Sequence, residues 1–391
     1  MGKRVLIVTE EWAGSGHYMA ALALKEALEE HPRQMDVTLI CGLATASPML
    51  RRISRSSYYR SLEHFPALWE KLYNREVTAL TRTLQKPLAK LIGKRLLDRA
   101  IELTGPDLVI STHAYCLAAL VQAKRKASKP FQLLGVLTDY HVHPYWVHPE
   151  MDYYLVAHPT LSDKLVNGWG VEPRRILSFG IPLRPVFLRE QTRTKLEWKA
   201  ALGLGATRFC VLLCGGTDGH GELDLVVAKL LETSAPLDLV VITGKNAKLY
   251  QELNTKWSQL KSEHHVYILG YVETIWEWLG AADVVISKAG GLTCSEALAM
   301  GTPVILFQPL PGQERQNTRF LVDQEVAQYA ASIDDIQMLL KRQQAVGQAS
   351  LAALTQRMQT IGRADSAFMT ANWIDRLDTV PLESAGVNRL N

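Results

Sequence analysis

Short apolar runs punctuate the chain at regular intervals, and most open onto a stretch with helical spacing. Arg4–Thr9 (RVLIVT) reads as a buried strand and Gly16–Glu30 as the helix behind it. Asp36–Cys41, Asp107–Ser111, Phe131–Leu137, Tyr153–Ala157 and Ile176–Phe179 read as further strands. Strands that are apolar almost throughout belong to a parallel sheet covered on both faces. Gly180-Ile-Pro-Leu-Arg-Pro185 breaks the rhythm with two prolines and a glycine, which suits a stiff connector. The pattern then repeats in Phe209–Cys214, Leu237–Thr243, Val266–Leu269, Asp283–Ser287 and Pro303–Phe307, with helices from about Asp334 and a polar tail after Thr379. The expected architecture is α/β, two doubly wound Rossmann-like domains facing across a cleft. Their expected bounds are 1–185 and 186–365, with a C-terminal helix and tail over 366–391. Ligands of such sheets bind outside the carboxyl ends of the strands, so the loops that follow strands hold the chemistry.

The bulk properties narrow the class. The chain has 391 residues, 47% apolar and 21% charged, a normal balance for globular domains. No run of 18 or more apolar residues is present to span a bilayer. The first apolar run stops at Glu10-Glu11 without the length or cleavage site of a signal peptide, so a cytoplasmic location is expected. Five cysteines, at 41, 116, 210, 214 and 294, include no C-x-x-C pair and read as reduced core thiols.

The net charge of +4 is unevenly spread, since residues 51–99 hold twelve Lys/Arg against four Asp/Glu. Leu84, Leu88, Leu91 and Ile92 recur there at helical spacing among Arg82, Lys86, Lys90, Lys94 and Arg95, downstream of Tyr58, Tyr59, Phe65, Trp69 and Tyr73. A basic amphipathic stretch with aromatics suits an anionic lipid surface. Equally, its apolar stripe can pack on its own domain, as in most amphipathic helices. No nucleic-acid-binding motif is present.

Three loops carry candidate chemistry. Glu11-Trp-Ala-Gly-Ser-Gly-His17 follows the first strand. It fails as a dinucleotide fingerprint, because Met19 stands at the third glycine and strand two ends Leu39-Ile-Cys41 without an acid. What remains is His17 on a glycine loop, a candidate base. Leu213-Cys-Gly-Gly-Thr-Asp-Gly-His-Gly221 opens the second domain, and its backbone N–H groups can hold a diphosphate. Gly244-Lys-Asn246 adds a positive charge after the next strand. In Ser287-Lys-Ala-Gly-Gly-Leu-Thr-Cys-Ser-Glu296, two glycines open a helix whose N-terminus suits phosphate, with Glu296 placed for ribose hydroxyls. Gln308-Pro-Leu-Pro-Gly-Gln-Glu314 then presents an amide and an acid suited to sugar hydroxyls.

With these residues in view, the chain resembles GT-B glycosyltransferases of the family that contains MurG, the monogalactosyldiacylglycerol synthases and the processive diacylglycerol glucosyltransferases. The last are the nearest likeness. They share Gly14–His17, Thr138-Asp-Tyr-His-Val-His-Pro-Tyr-Trp-Val-His148, Gly180-Ile-Pro182, Gly244-Lys-Asn246, Gly270-Tyr-Val-Glu273 and Pro311-Gly-Gln-Glu314, in that order. Ala289, where many relatives have proline, and Gly215-Gly216-Thr217 depart from the family pattern.

The resemblance implies roles. Tyr271 and Val272 would hold uracil and Glu296 the ribose. Gly215, Gly216, Thr217, Gly290, Gly291, Leu292 and Thr293 would hold the diphosphate with Lys245, while Gln313 and Glu314 read the sugar. His17 would be the general base, with Asp139 also catalytic, and Gly16, His143 and Trp146 would shape the acceptor side. Asp139, His141, His143 and His148 can alternatively be read as metal ligands. The Asp-x-Asp pair of metal-dependent sugar transferases is absent, so no cofactor or metal is expected. The implied reaction is inverting transfer of a hexose from UDP-glucose or UDP-galactose to diacylglycerol, possible in repeated rounds. The enzyme would sit on the inner face of the cell membrane through residues 51–99, without nucleic-acid partners. A UDP-N-acetylglucosamine-dependent transferase to another lipid, a non-hydrolysing UDP-sugar 2-epimerase and a non-catalytic nucleotide-sugar-binding protein are the competing readings.

Overall fold

A computed structural model describes residues 2–11, 15–47, 49, 89–219, 221–260 and 262–378. The chain divides into two compact units. The first runs to Pro185 and also takes Pro311–Gln313 and the segment from Asp365; the second comprises Val186–Leu310 and Glu314–Ala364.

In the first unit, β1 (Arg4–Thr9), β2 (Asp36–Cys41), β3 (Leu108–Ser111), β4 (Gln132–Val136), β5 (Tyr153–Leu155) and β6 (Ile176–Leu177) form one sheet in the order β2-β1-β3-β4-β5-β6. Every pairing is parallel. All residues of β3 and β4 are buried, as their unbroken apolar runs require. The chain leaves β1 toward β2 on one side and returns to β3 on the other, so the crevice lies at the carboxyl ends of β1 and β3.

The helix Ser366–Arg376 is not a separate appendage. Ala367, Ala371 and Ile374 join the core formed with Ala23, Leu24 and Ala27 of the helix Ser15–Glu29. Small residues one turn apart allow the close approach. Lys3 Nζ donates to the carbonyls of Ile374, Asp375 and Leu377, closing the C-terminal end of that helix with a cation.

Of the basic stretch, residues 51–88 lie outside the described residues. Over 89–101 the chain is helical, with a π-turn at Leu97–Ile101. Its apolar side faces inward here. Ile92, Leu96, Leu97, Ala100 and Ile101 are buried, and Gly93 packs so closely on the helix Ala114–Lys124 that a Cβ would meet the Ala119 carbonyl at 2.5 Å. Arg95 and Arg99 donate to the carbonyls of Ala46 and Thr45. In this portion the stripe packs on its own domain; Leu91 alone among the apolar positions named above stays exposed here.

The second unit repeats the design with β7 (Phe209–Cys214), β8 (Leu237–Ile242), β9 (His265–Leu269), β10 (Val284–Ser287), β11 (Val304–Phe307) and β12 (Ala327–Ala330), ordered β12-β11-β10-β7-β8-β9. All pairs are again parallel. The switch point falls between β7 and β10. The edge strand β12 has no counterpart in the hydrophobic pattern, because Gln328 and Tyr329 are exposed.

Candidate active site

At the crevice of the first unit, His17 sits in the first turn of the helix Ser15–Glu29. Its Nδ1 lies 2.7 Å from Thr138 Oγ1, just past β4. The Thr112 hydroxyl donates to the His17 carbonyl at 2.9 Å and lies 2.7 Å from the Thr9 hydroxyl, so the ends of β1 and β3 hold the His17 backbone while Thr138 holds its ring. No described residue hydrogen-bonds His17 Nε2. Burial lowers the His17 pKa below the ordinary histidine value, opposed by the negative charge of Asp139 and by the Thr112 contact. A neutral imidazole with one nitrogen anchored and the other open is the form a general base needs. Trp12, Ala13 and Gly14 lie outside the described residues; Gly16 is in the same helical turn as His17.

His113, which the sequence reading passed over, meets His17 edge-on at 4.6 Å between ring centroids. It caps the helix Ala114–Lys124 by accepting from Tyr115 N, and burial holds it well below the usual histidine pKa. Tyr115 and Tyr145 extend this aromatic wall, with Tyr115 exposed. The two aromatic positions expected on the acceptor side are buried instead. Trp146 is 5% exposed, its ring 3.6 Å from the Cβ position of Gly135 in β4. His143 is 6% exposed, and its Nδ1 accepts from Tyr145 N. Among these rings Tyr115 is exposed and Tyr145 half-buried. His148 is likewise engaged locally, with Nε2 3.1 Å from the Tyr145 carbonyl. Among the described residues, no three His, Cys, Asp or Glu side chains gather in a metal-holding cluster, so the alternative set of Asp139, His141, His143 and His148 does not assemble.

In the second unit, the loops after β7, β8 and β10 converge at the switch point. Gly216 and Gly244 have left-handed φ of +71° and +62°. A Cβ on Gly244 would stand 2.4 Å from the carbonyl oxygens of both Gly216 and Thr217, so only glycine fits between the strands. Lys245 N donates to the Thr217 carbonyl at 2.7 Å, and Ser287 Oγ to that of Cys214 at 3.2 Å. The helix Gly291–Ala299 begins here without a side-chain cap. The N–H groups of Gly291, Leu292 and Thr293 therefore have no intrahelical acceptor, an arrangement whose chemistry suits an anion. Glu296, on the same helix, is 7% exposed. Burial, and its negative charge second, push the Cys214 thiol at the end of β7 up to about 12, so that cysteine stays an inert thiol.

At the ends of β8 and β9, Gly244, Lys245, Ala247, Tyr250, Ile268, Leu269, Gly270 and Tyr271 line a cavity of about 360 Å³. Lys245 Nζ lies 5.0 Å from the Tyr271 ring centroid. Val272 adjoins it, half-buried. Past β11, Gln313 is half-buried, whereas Glu314 is turned inward: Oε1 is 3.0 Å from Lys288 Nζ, and Oε2 accepts from Leu310 N at 2.8 Å. Instead of projecting toward solvent, Glu314 holds the loop and a lysine.

Residues 17–183 match the Monogalactosyldiacylglycerol (MGDG) synthase profile, and 210–361 match the glycosyltransferase family 28 C-terminal domain. Over 335 residues the chain is 32% identical to a processive diacylglycerol beta-glucosyltransferase of Bacillus pumilus, covering 82% of this chain and 81% of that one. The chain belongs to the diacylglycerol glycosyltransferases of family 28. The Bacillus subtilis processive diacylglycerol beta-glucosyltransferase is similarly related, with 30% identity over 83% of this chain and 82% of its own. MurG of Acinetobacter baumannii has the same GT-B fold, with a TM-score of 0.64 at 14% identity over 96% of this chain and all of that one. So has the UDP-GlcNAc 2-epimerase of Neisseria meningitidis, at 0.59 and 14% over the same shares. Fold alone therefore does not separate the diacylglycerol glycosyltransferases from an epimerase; the sequence relationship does.

Proposed function

We propose that this diacylglycerol glycosyltransferase moves glucose from UDP-glucose to the free hydroxyl of diacylglycerol with inversion. The observation that carries the chemistry is His17 at the switch point of the first unit, with its Nδ1 2.7 Å from Thr138 Oγ1. The acceptor hydroxyl gives its proton to His17 Nε2 as its oxygen bonds to the anomeric carbon. The bond from that carbon to the β-phosphate oxygen breaks, and the electron pair leaves with UDP. One displacement turns an α-linked donor into a β-glycoside.

Donor recognition falls mainly to the second unit. The cavity beside Tyr271 and Val272 takes the uracil and Glu296 the ribose hydroxyls. Gly215–Thr217 and the open N–H groups at Gly291–Thr293 stabilise the developing diphosphate charge, with Lys245 close by. Gln313 reads the hexose. In this reading no step is assigned to a metal. Glucose is favoured over galactose by the names of the similar Bacillus proteins, which are glucosyltransferases.

No helix among the described residues is long and apolar enough to cross a membrane. In this reading the exposed Lys90, Leu91 and Lys94 belong to a basic surface that meets the inner leaflet, and the sequence of residues 51–88 is rich in basic and aromatic residues. The test is incubation with diacylglycerol vesicles and UDP-glucose, UDP-galactose or UDP-N-acetylglucosamine in turn, followed by mass spectrometry of the lipids. A hexosyl-diacylglycerol formed from UDP-glucose supports the reading. A C2-epimerised nucleotide sugar with unchanged lipid would replace it with the epimerase.

A further inference from the structure

The donor chemistry described above leaves one cation unused. Lys288 directly follows β10, at the switch point of the second unit, and its side chain is one-fifth exposed. A Cβ at Gly216 would meet Lys288 Cε at 2.7 Å, so the lysine stem lies across the glycine of the loop after β7. Its ammonium is 3.0 Å from Glu314 Oε1, and the other Glu314 oxygen is taken by Leu310 N. The carboxylate is thus fixed at two points and holds the ammonium beside the glycine loop. Lys288 also stands two residues before Gly290, the N-cap of the anion-binding helix. A positive charge placed between a glycine loop and a helix N-terminus adds to two sources of favourable potential for the same anion.

We infer that Lys288 is a binding and leaving-group residue of the donor site, whose ammonium donates to the β-phosphate of the nucleoside diphosphate while Glu314 positions it. This rests on the reading of the second unit as the UDP-sugar site. The lysine keeps its protons throughout; the negative charge it meets is the one released when the anomeric carbon–oxygen bond breaks. The β-phosphate bears more of that charge than the α-phosphate, so the lysine discriminates UDP from UMP and has no influence on uridine.

The experiment is calorimetric titration of the full chain with UDP, UMP and uridine, for wild type, K288M, K288Q and K288R. A hydrogen bond to a charged group corresponds to about a ten- to hundredfold change in affinity. K288M and K288Q are expected to lose UDP affinity by that factor and fall to the UMP level, with uridine affinity unchanged; K288R restores the preference for the diphosphate. Retention of the wild-type UDP-to-UMP ratio in both neutral variants overturns the inference. So does a parallel loss of uridine binding in both, which would mark the lysine as structural. A wild-type protein that binds uridine, UMP and UDP equally overturns the inference and leaves the nucleotide site standing, whereas one that binds none of them removes the donor site as well.

Discussion

His17 Nδ1 and Thr138 Oγ1 stand 2.7 Å apart, joining the first helix of the chain to the loop after β4 across 121 residues of sequence. The contact decides which imidazole nitrogen works. In the tautomer whose Nδ1–H donates to the threonine hydroxyl, Nε2 carries the lone pair that can take a proton, and the contact holds the ring against rotation. Replacing Thr138 by Val removes the anchor at nearly constant shape. The net worth of such a bond corresponds to about a three- to tenfold effect. The expected result is a fall of that size in kcat, with the KM for the UDP-sugar unchanged and recovery in Thr138→Ser; steady-state kinetics on mixed micelles measures it.

The depressed His17 pKa fixes the sign of the pH dependence. A base with a lowered pKa stays neutral at lower pH, so kcat/KM holds on acidification through 6.5 and falls only below it. Asp139 raises that pKa by its charge. Asp139→Asn is therefore expected to move the acid limb to still lower pH, whatever it does to the plateau. A pH–rate profile of both proteins checks the direction.

Glu296 is buried on the helix whose N-terminus is the proposed anion site, and its proposed partners are the ribose hydroxyls. Glu296→Ala is expected to weaken UDP about ten- to hundredfold. Wild type should bind UDP more tightly than 2′-deoxy-UDP, and the variant should bind the two alike. Competition titration with both nucleotides reads the difference; an undiminished preference in the variant would take Glu296 off the ribose.

Gly244→Ala forces a Cβ to 2.4 Å from two carbonyl oxygens at a left-handed φ. Strain of this kind costs about 1–3 kcal/mol. Thermal unfolding should show a lowered Tm, and the UDP affinity should fall with it because the displaced carbonyls belong to the proposed phosphate loop.

Much of the fold was legible because it is written in contiguous apolar runs. The strands Arg4–Thr9, Asp36–Cys41 and Phe209–Cys214 coincide with the runs that predict them. The strand β12 was not, since an edge strand with two exposed residues carries no such run. Nor was the docking of Ser366–Arg376 on the first unit, which depends on Ala367 and Ala371 meeting a helix more than 300 residues away. At the candidate site, the glycine loops fall at the carboxyl ends of the strands as the sequence pattern predicts, because backbone shape there is a local property. Side-chain direction is not local. Trp146 turns into the core because Gly135 leaves it room, and Glu314 turns inward because Lys288 and Leu310 N offer it partners. Thr138 and Lys288 were visible only as neighbours of more familiar motif residues. His113 had one available signal, its place two residues past the end of a buried strand.

The central claim is that His17 takes the acceptor proton, and it is tested by measuring glucosyl transfer and UDP affinity side by side in His17→Ala. Transfer to diacylglycerol is expected to fall by about 10²–10⁴-fold with UDP bound as tightly as before. Undiminished transfer in that variant would contradict the account.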